Sequence, residues 1–192
     1  RCTDAGFRDR SAFMKPSPTS EPGAATSRPG KVFAVIVTFN RLSMLQQTLK
    51  HTLDEALDGV IVVNNASTDG TRAWLDEQKH PLLQVLHLAV NGGGAGGFHH
   101  GFDHVLKHTD ADWLVCFDDD AYPQPGSIST FKKLELPPDV AGVAASVYLP
   151  EGRISEMNRP SHHPFASVGA TLRTVFKRRA GFHVTDEDYL RE

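Results

Sequence analysis

Two hydrophobic rhythms alternate along the chain. Residues 32–37 form an unbroken apolar run, the short turn Thr38, Phe39, Asn40 follows, and Leu42, Leu45, Leu49 and Leu53 then recur at helical spacing. This pattern predicts a strand, a turn and a helix. The unit repeats with a strand over 60–63, a polar turn over 64–70 and a helix over 71–78, for which Ser67 and Thr68 are suitable caps. Residues 82–88 read as a third strand, followed by a glycine-rich loop from Asn91 and a helix over 97–107. The run Trp113, Leu114, Val115, Cys116, Phe117 predicts a fourth strand, buried because it is short and wholly apolar, and residues 140–147 predict a fifth.

Strands alternating with helices predict an α/β fold with a mostly parallel, doubly wound sheet and helices on both faces, because each crossover returns the chain in the same direction. Turns 38–40, 64–69, 91–97 and 118–120 all follow carboxyl ends of strands, so they converge on one crevice. Residues 15–31 differ in kind. They carry four prolines among Ser, Thr, Gly and Ala with no periodic apolar face, so residues 1–30 are expected to be a flexible segment outside the fold.

Composition narrows the chemistry. A chain of 192 residues with 40% hydrophobic and 22% charged content is ordinary for a globular domain, which excludes general disorder. A net charge of −3 gives no general attraction to nucleic acid, so a polyanionic ligand would have to be held locally; small phosphorylated molecules fit better than polymers. Cys2 and Cys116 offer no disulfide framework, which fits a reducing compartment and makes the cytoplasm the expected location. No apolar stretch approaches the roughly 18 residues of a membrane-spanning helix, so any membrane association is expected to be peripheral. The chain begins at Arg1 rather than Met, which is read as an excerpt or a processed product.

Four features carry candidate chemistry. Asp118, Asp119 and Asp120 stand at the end of the fourth strand, where adjacent like charges repel unless offset. Either a hard divalent cation such as Mg2+ or Mn2+ offsets them, or they form an acidic turn. The loop Asn91, Gly92, Gly93, Gly94, Ala95, Gly96, Gly97 holds more glycine than a turn requires, and close backbone approach to phosphate or sugar oxygens is its natural use; a flexible linker is the other reading. Asn64 to Thr71 by itself reads as a capped helix start. His100, His104 and His108 form an i, i+4, i+8 stripe beside His99, which could in principle bind a metal but reads as a solvated helix face; the basic run Lys177, Arg178, Arg179 reads as a solvated surface, with a lipid-phosphate or pyrophosphate contact as its functional version.

Taken in order, Val35 to Arg41, Val62 to Thr71, Asn91 to Gly101 and Asp118 to Asp120 resemble the family 2 glycosyltransferases of GT-A fold over roughly residues 31–147. The form Asn-x-Gly-Gly-x-Gly-Gly-Phe with three aspartates looks most like the galactofuranosyl and rhamnosyl transferase branch. The resemblance implies a nucleotide-sugar-binding core over 31–150 and a partial acceptor-side region over 151–192. It implies an inverting transfer of galactofuranose or rhamnose from a nucleoside-diphosphate sugar to a glycan or lipid-linked acceptor, and a place in cell-wall polysaccharide synthesis at the inner face of the membrane. Residue by residue, it sets Thr38 and Asn40 near the nucleotide base and Asn64 where many members have an aspartate contacting uracil. Asn91, Gly93 and Gly94 would face the donor, Asp118 and Asp120 would hold Mn2+ or Mg2+, and Asp119 would lie nearer the sugar.

The implied reaction is attack by an acceptor hydroxyl on the anomeric carbon as the nucleoside diphosphate departs. It needs a carboxylate base. The tail Asp186, Glu187, Asp188, Tyr189, Leu190, Arg191 imitates the family's acidic pair, aromatic and arginine. In this branch, however, the base follows further strands and a helix, so the chain is expected to stop before it. A noncatalytic nucleotide-sugar-binding module and a phosphotransferase using Asp118 as nucleophile are the two competing readings.

Overall fold

The computed structural model describes residues 27–155 and Gly169. Four strands, β1 (Val32–Thr38), β2 (Gly59–Asn64), β3 (Leu83–His87) and β4 (Trp113–Asp118), form one sheet in the order β3-β2-β1-β4. Every pairing is parallel. The connections run through α1 (Leu42–Leu53), α2 (Thr71–Glu77) and α3 (Gly93–His108), and α4 (Ser127–Phe131) follows β4.

The two central strands are buried along their whole length, as unbroken apolar sequence requires when helices cover both faces. On one face Val32, Ala34, Ile36, Val60 and Val62 pack with Leu45 and Leu49 of α1, Leu75 of α2 and Ile128 of α4. The other face belongs to α3, whose Val105, Phe98 and Phe102 meet Phe33, Val35, Val37, Ile61 and Val63. The period-2 alternation of the strands assigns each residue to its face, and each buried Val, Leu, Ile or Phe side chain contributes about 1.5–3 kcal/mol over leaving it exposed.

α3 begins at Gly93, four residues before the expected start. Glycine costs about 1 kcal/mol in a helix interior, which is why sequence alone delays the helix to 97. Packing offsets that cost. A Cβ at Gly97 would stand 2.4 Å from Val37 Cγ1, and one at Gly101 would stand 2.4 Å from Val35 Cγ1. These two glycines let the helix lie directly on β1 and β2.

Three expectations need correction. β4 is an edge strand among the described residues and only half-buried, with Cys116 exposed; α3 lies chiefly over β1 and β2, and on the Cys116 face of β4 it is Leu114 that packs against the α3 side of the core. Residues 140–147 form no strand. That stretch is rich in alanine and glycine, which have little strand preference, and Val143 is half exposed. Third, α2 takes Gly70 as its N-cap with no side-chain cap bond, and Ser67 and Thr68 turn instead toward Asn40.

The chain divides into two compact units, Arg1–Asp139 and Val140–Glu192. The first holds all four strands, and Ser27 exchanges two backbone hydrogen bonds with Leu136, at 3.0 and 2.9 Å. In the described part of the second, Tyr148 and Ile154 form an antiparallel bridge across a tight turn. Lys177 to Arg179, Asp186 and Asp188 lie outside the described residues.

Candidate active site at the strand ends

The strand order reverses direction at β1: the chain leaves through α1 on one face toward β2 and returns through α3 on the other to β4. Such a switch point opens a crevice at the carboxyl ends of the two strands. Thr38 and the aspartate triplet stand on its two sides.

The three aspartates have three different environments. Asp119 is buried; its Oδ2 accepts from Thr38 Oγ1 at 2.9 Å and from the Phe39 N–H at 3.4 Å, and its Oδ1 accepts from Arg41 Nη1 at 3.2 Å. Its carbonyl accepts from Thr48 Oγ1 at 2.9 Å. Asp120 is half exposed and accepts from the same Arg41 nitrogen at 2.9 Å. Asp118 is the last residue of β4, opposite Val37 in the ladder, exposed, and without a hydrogen-bond partner for its carboxylate among the described residues. Three carboxylates against one guanidinium leave two negative charges at the crevice. Asp119, by its charge and its hydrogen bond, and then Asp120 hold the Arg41 guanidinium still more firmly protonated than usual.

Across the crevice, Asn64 ends β2 and Asn65 follows it, both buried. Asn64 Nδ2 meets His87 Nδ1 at 3.0 Å and its Oδ1 accepts from Ser67 N at 2.9 Å; His87 Nε2 continues to Asp76 at 3.0 Å. Asn65 ties the strand to the glycine loop: Nδ2 donates to Asn91 Oδ1 at 2.9 Å and to the Gly93 carbonyl at 3.0 Å, while Oδ1 accepts from Gly92 N at 3.0 Å. Asn91 Oδ1 also accepts from Gly93 N at 2.8 Å. The loop is therefore braced rather than slack.

Beyond the brace the glycines are bare. A Cβ at Gly93, Gly94 or Gly96 would meet nothing within 4 Å, and Gly93 has a φ of +72°, which only glycine adopts easily. The 16-residue α3 starts here with no acidic residue in its first turn; the Gly92 and Gly93 N–H groups are taken up by Asn65 and Asn91, which leaves the N–H groups of Gly94 and Ala95 without a side-chain acceptor at the positive end of the helix dipole.

Asn40 also has a left-handed backbone, φ 54°, and is pinned from the next turn: its Oδ1 accepts from Thr68 N at 2.7 Å and its N–H donates to Ser67 Oγ at 3.0 Å. Asp69 joins the same two turns, accepting from Leu42 N at 3.1 Å and Thr71 Oγ1 at 2.5 Å. Burial pushes the Asp69 carboxyl up, but these donors outweigh it and leave it below its ordinary value.

The profile of the family described as Glycosyl transferase family 2 matches residues 33–188, most of the chain. The chain belongs to the family 2 glycosyltransferases. An undecaprenyl-phosphate mannosyltransferase of Micrococcus luteus is 30% identical over 145 residues, which cover 74% of this chain and 58% of that protein. The chain thus spans a little over half the length of the curated relative it matches. Among solved structures, a mannosyltransferase from Pyrobaculum calidifontis in complex with GDP-Man and Mn2+ is 24% identical with a TM-score of 0.44, over 57% of this chain and 34% of that one. S. aureus TarS is 21% identical with a TM-score of 0.40, over 53% and 31%. The parallel sheet with helices on both faces is the GT-A arrangement expected of a family 2 glycosyltransferase.

Within this family 2 domain, the first strand end, the glycine loop and the triplet come together around the open ends of β1, β2 and β4, whereas Asn64 and Thr38 spend their polar atoms inside the protein. Sequence reasoning missed Arg41 and Asn65. Arg41 had a signal: a cation at a helix N-cap opposes the dipole and so requires acidic partners elsewhere. Asn65 had none, because its partners lie 26 to 28 residues away. The histidine stripe is not gathered around a common centre: His104 contacts Gln84 at 2.7 Å, and its ring stacks on His108. Among the described residues no group of three or more His, Cys, Asp or Glu side chains forms a protein-only metal cage.

Proposed function

We propose that this domain binds a nucleoside-diphosphate sugar across the β1–β4 crevice and supplies the donor side of an inverting glycosyltransferase. The observation that carries the reading is Asp118, a carboxylate without a hydrogen-bond partner among the described residues, at the carboxyl end of β4 beside the switch point. The donor set fits a hard divalent cation. Asp118 and Asp120 offer only oxygen, and Mg2+ or Mn2+ takes one or two carboxylates and completes its shell with water and substrate phosphates. When bound, the cation neutralises the departing diphosphate.

The chain's own residues divide the remaining work. Gly93 and Gly94 admit a diphosphate or sugar to backbone contact, and the Gly94 and Ala95 N–H groups, with the dipole of α3, stabilise negative charge there. Asn40 and Asn91, each braced through Oδ1, keep amide N–H groups for the nucleotide and sugar. Thr38 and Asn64 act beneath the base, fixing the turns that touch it. Asp119 holds Arg41 and Thr38 in place rather than contacting the sugar first.

For the donor, the glycine loop and triplet support galactofuranose or rhamnose carried on UDP or dTDP. A relative named for mannosyl transfer supports a mannosyl donor as the second reading, and its undecaprenyl-phosphate name supports a lipid-linked acceptor. No helix among the described residues is long and apolar enough to cross a membrane. Saturation-transfer NMR with UDP-galactofuranose, dTDP-rhamnose and GDP-mannose, each with Mg2+, tests the reading. One donor should show strong transfer to its diphosphate-proximal protons; silence from all three would refute it.

A further inference from the structure

Arg41 is the only cation bonded to the triplet among the described residues, and its two bonds are unequal. Both leave from Nη1. A guanidinium has five N–H donors, and Nε and Nη2 have no acceptor among the described residues. The Asp119 partner is buried and fixed by Thr38, whereas the Asp120 partner is 49% exposed. The first bond is an anchor, and the second is an exposed ion pair of the kind that contributes little and is readily exchanged.

Asp120 is also a carboxylate that the donor reading gives to the cation. Two positive groups cannot both neutralise it without repelling each other. Resting on that reading, we infer that Arg41 is a built-in counter-ion that occupies Asp120 until a divalent cation displaces it, while its bond to Asp119 keeps the guanidinium at the crevice. The domain without a cation then avoids two bare, adjacent carboxylates. Cation binding to Asp118 and Asp120 carries the cost of removing Arg41 from the second. The freed N–H groups of Arg41 become available to an anionic oxygen at the same moment.

The test uses the full chain and Mn2+ alone, with free Mn2+ followed by electron paramagnetic resonance. Arg41→Gln should bind Mn2+ about fivefold tighter than the unmutated chain, the scale of one lost charge repulsion in a solvated site. Arg41→Lys, which keeps the charge, should stay near the unmutated affinity. Equal or weaker binding by Arg41→Gln overturns the inference and leaves the metal reading standing; no binding by either protein overturns both. Should Arg41→Gln lose its circular dichroism signal, nitrogen-detected NMR of the unmutated chain decides. Saturating Mg2+ should quicken Arg41 guanidinium rotation, and an unchanged Arg41 signal overturns the inference.

Discussion

The two ends of the sheet carry similar acidity and treat it in opposite ways. At the amino end, Asp58 accepts from Lys132 at 2.5 Å and from Val32 N at 2.8 Å, Asp110 pairs with Lys31 at 2.5 Å, and Asp112 accepts from Lys31 N at 2.8 Å. Each carboxylate has a partner. At the carboxyl end one arginine serves two of the three aspartates, and the Asp118 carboxylate is left open among the described residues. Folding needs charge to be satisfied, so acidity that the protein leaves unsatisfied points to a ligand that satisfies it.

The comparison breaks most readily inside the triplet. Asp119→Ala strands the Thr38 hydroxyl and one Arg41 donor and should cost about 3 kcal/mol of stability. Asp118→Ala, at the adjacent position but with a carboxylate that has no hydrogen-bond partner among the described residues, should stay within about 0.5 kcal/mol. Urea denaturation of both variants measures the difference; equal losses would mean that the two aspartates share one structural role.

The glycines divide in the same manner. Gly101→Ala drives a methyl group toward Val35 and should cost about 1–3 kcal/mol. Gly94→Ala meets open space in a helix and should stabilise by about 0.4–1 kcal/mol while weakening donor binding. Thermal melts and donor titrations of the pair would separate the packing glycines from the bare ones; the same sign of change in both would merge them.

The smallest effect belongs to the satisfied end. Burial pushes the Asp58 carboxyl up, but Lys132 and the Val32 N–H outweigh it and leave it below its ordinary value of 3.8. A depressed carboxylate contributes stability above that value and loses it as pH falls through the folded-state value. Asp58→Asn should therefore cost under about 1 kcal/mol at pH 7 and nothing at the acid end, where the two proteins' melting curves converge. A constant gap across pH 2 to 7, on the order of that same value, would remove the ion pair from the account.

The strand-and-helix order was legible because β1 and β2 are unbroken apolar runs and α1 repeats its leucines at helical spacing. The start of α3 was not, since glycine's poor helix propensity is overridden by contacts with Val37 and Val35 that no local window contains. Residues 140–147 misled for the opposite reason: a few valines imitate a strand without a pairing edge or a buried face. In the site, the triplet and the glycine loop were visible as composition. Their division of labour was not, because burial of Asp119, exposure of Asp118 and the bracing by Asn65 depend on residues brought from 26 to 81 positions away.

The central claim is that Asp118 makes the carboxyl end a metal-dependent donor site. Calorimetric titration of UDP, dTDP and GDP into the full chain, with and without Mn2+, tests it most directly. The account predicts binding of one diphosphate that requires Mn2+ and that falls on the order of a hundredfold in Asp118→Ala. Binding that is indifferent to Mn2+, or unchanged in Asp118→Ala, would contradict it.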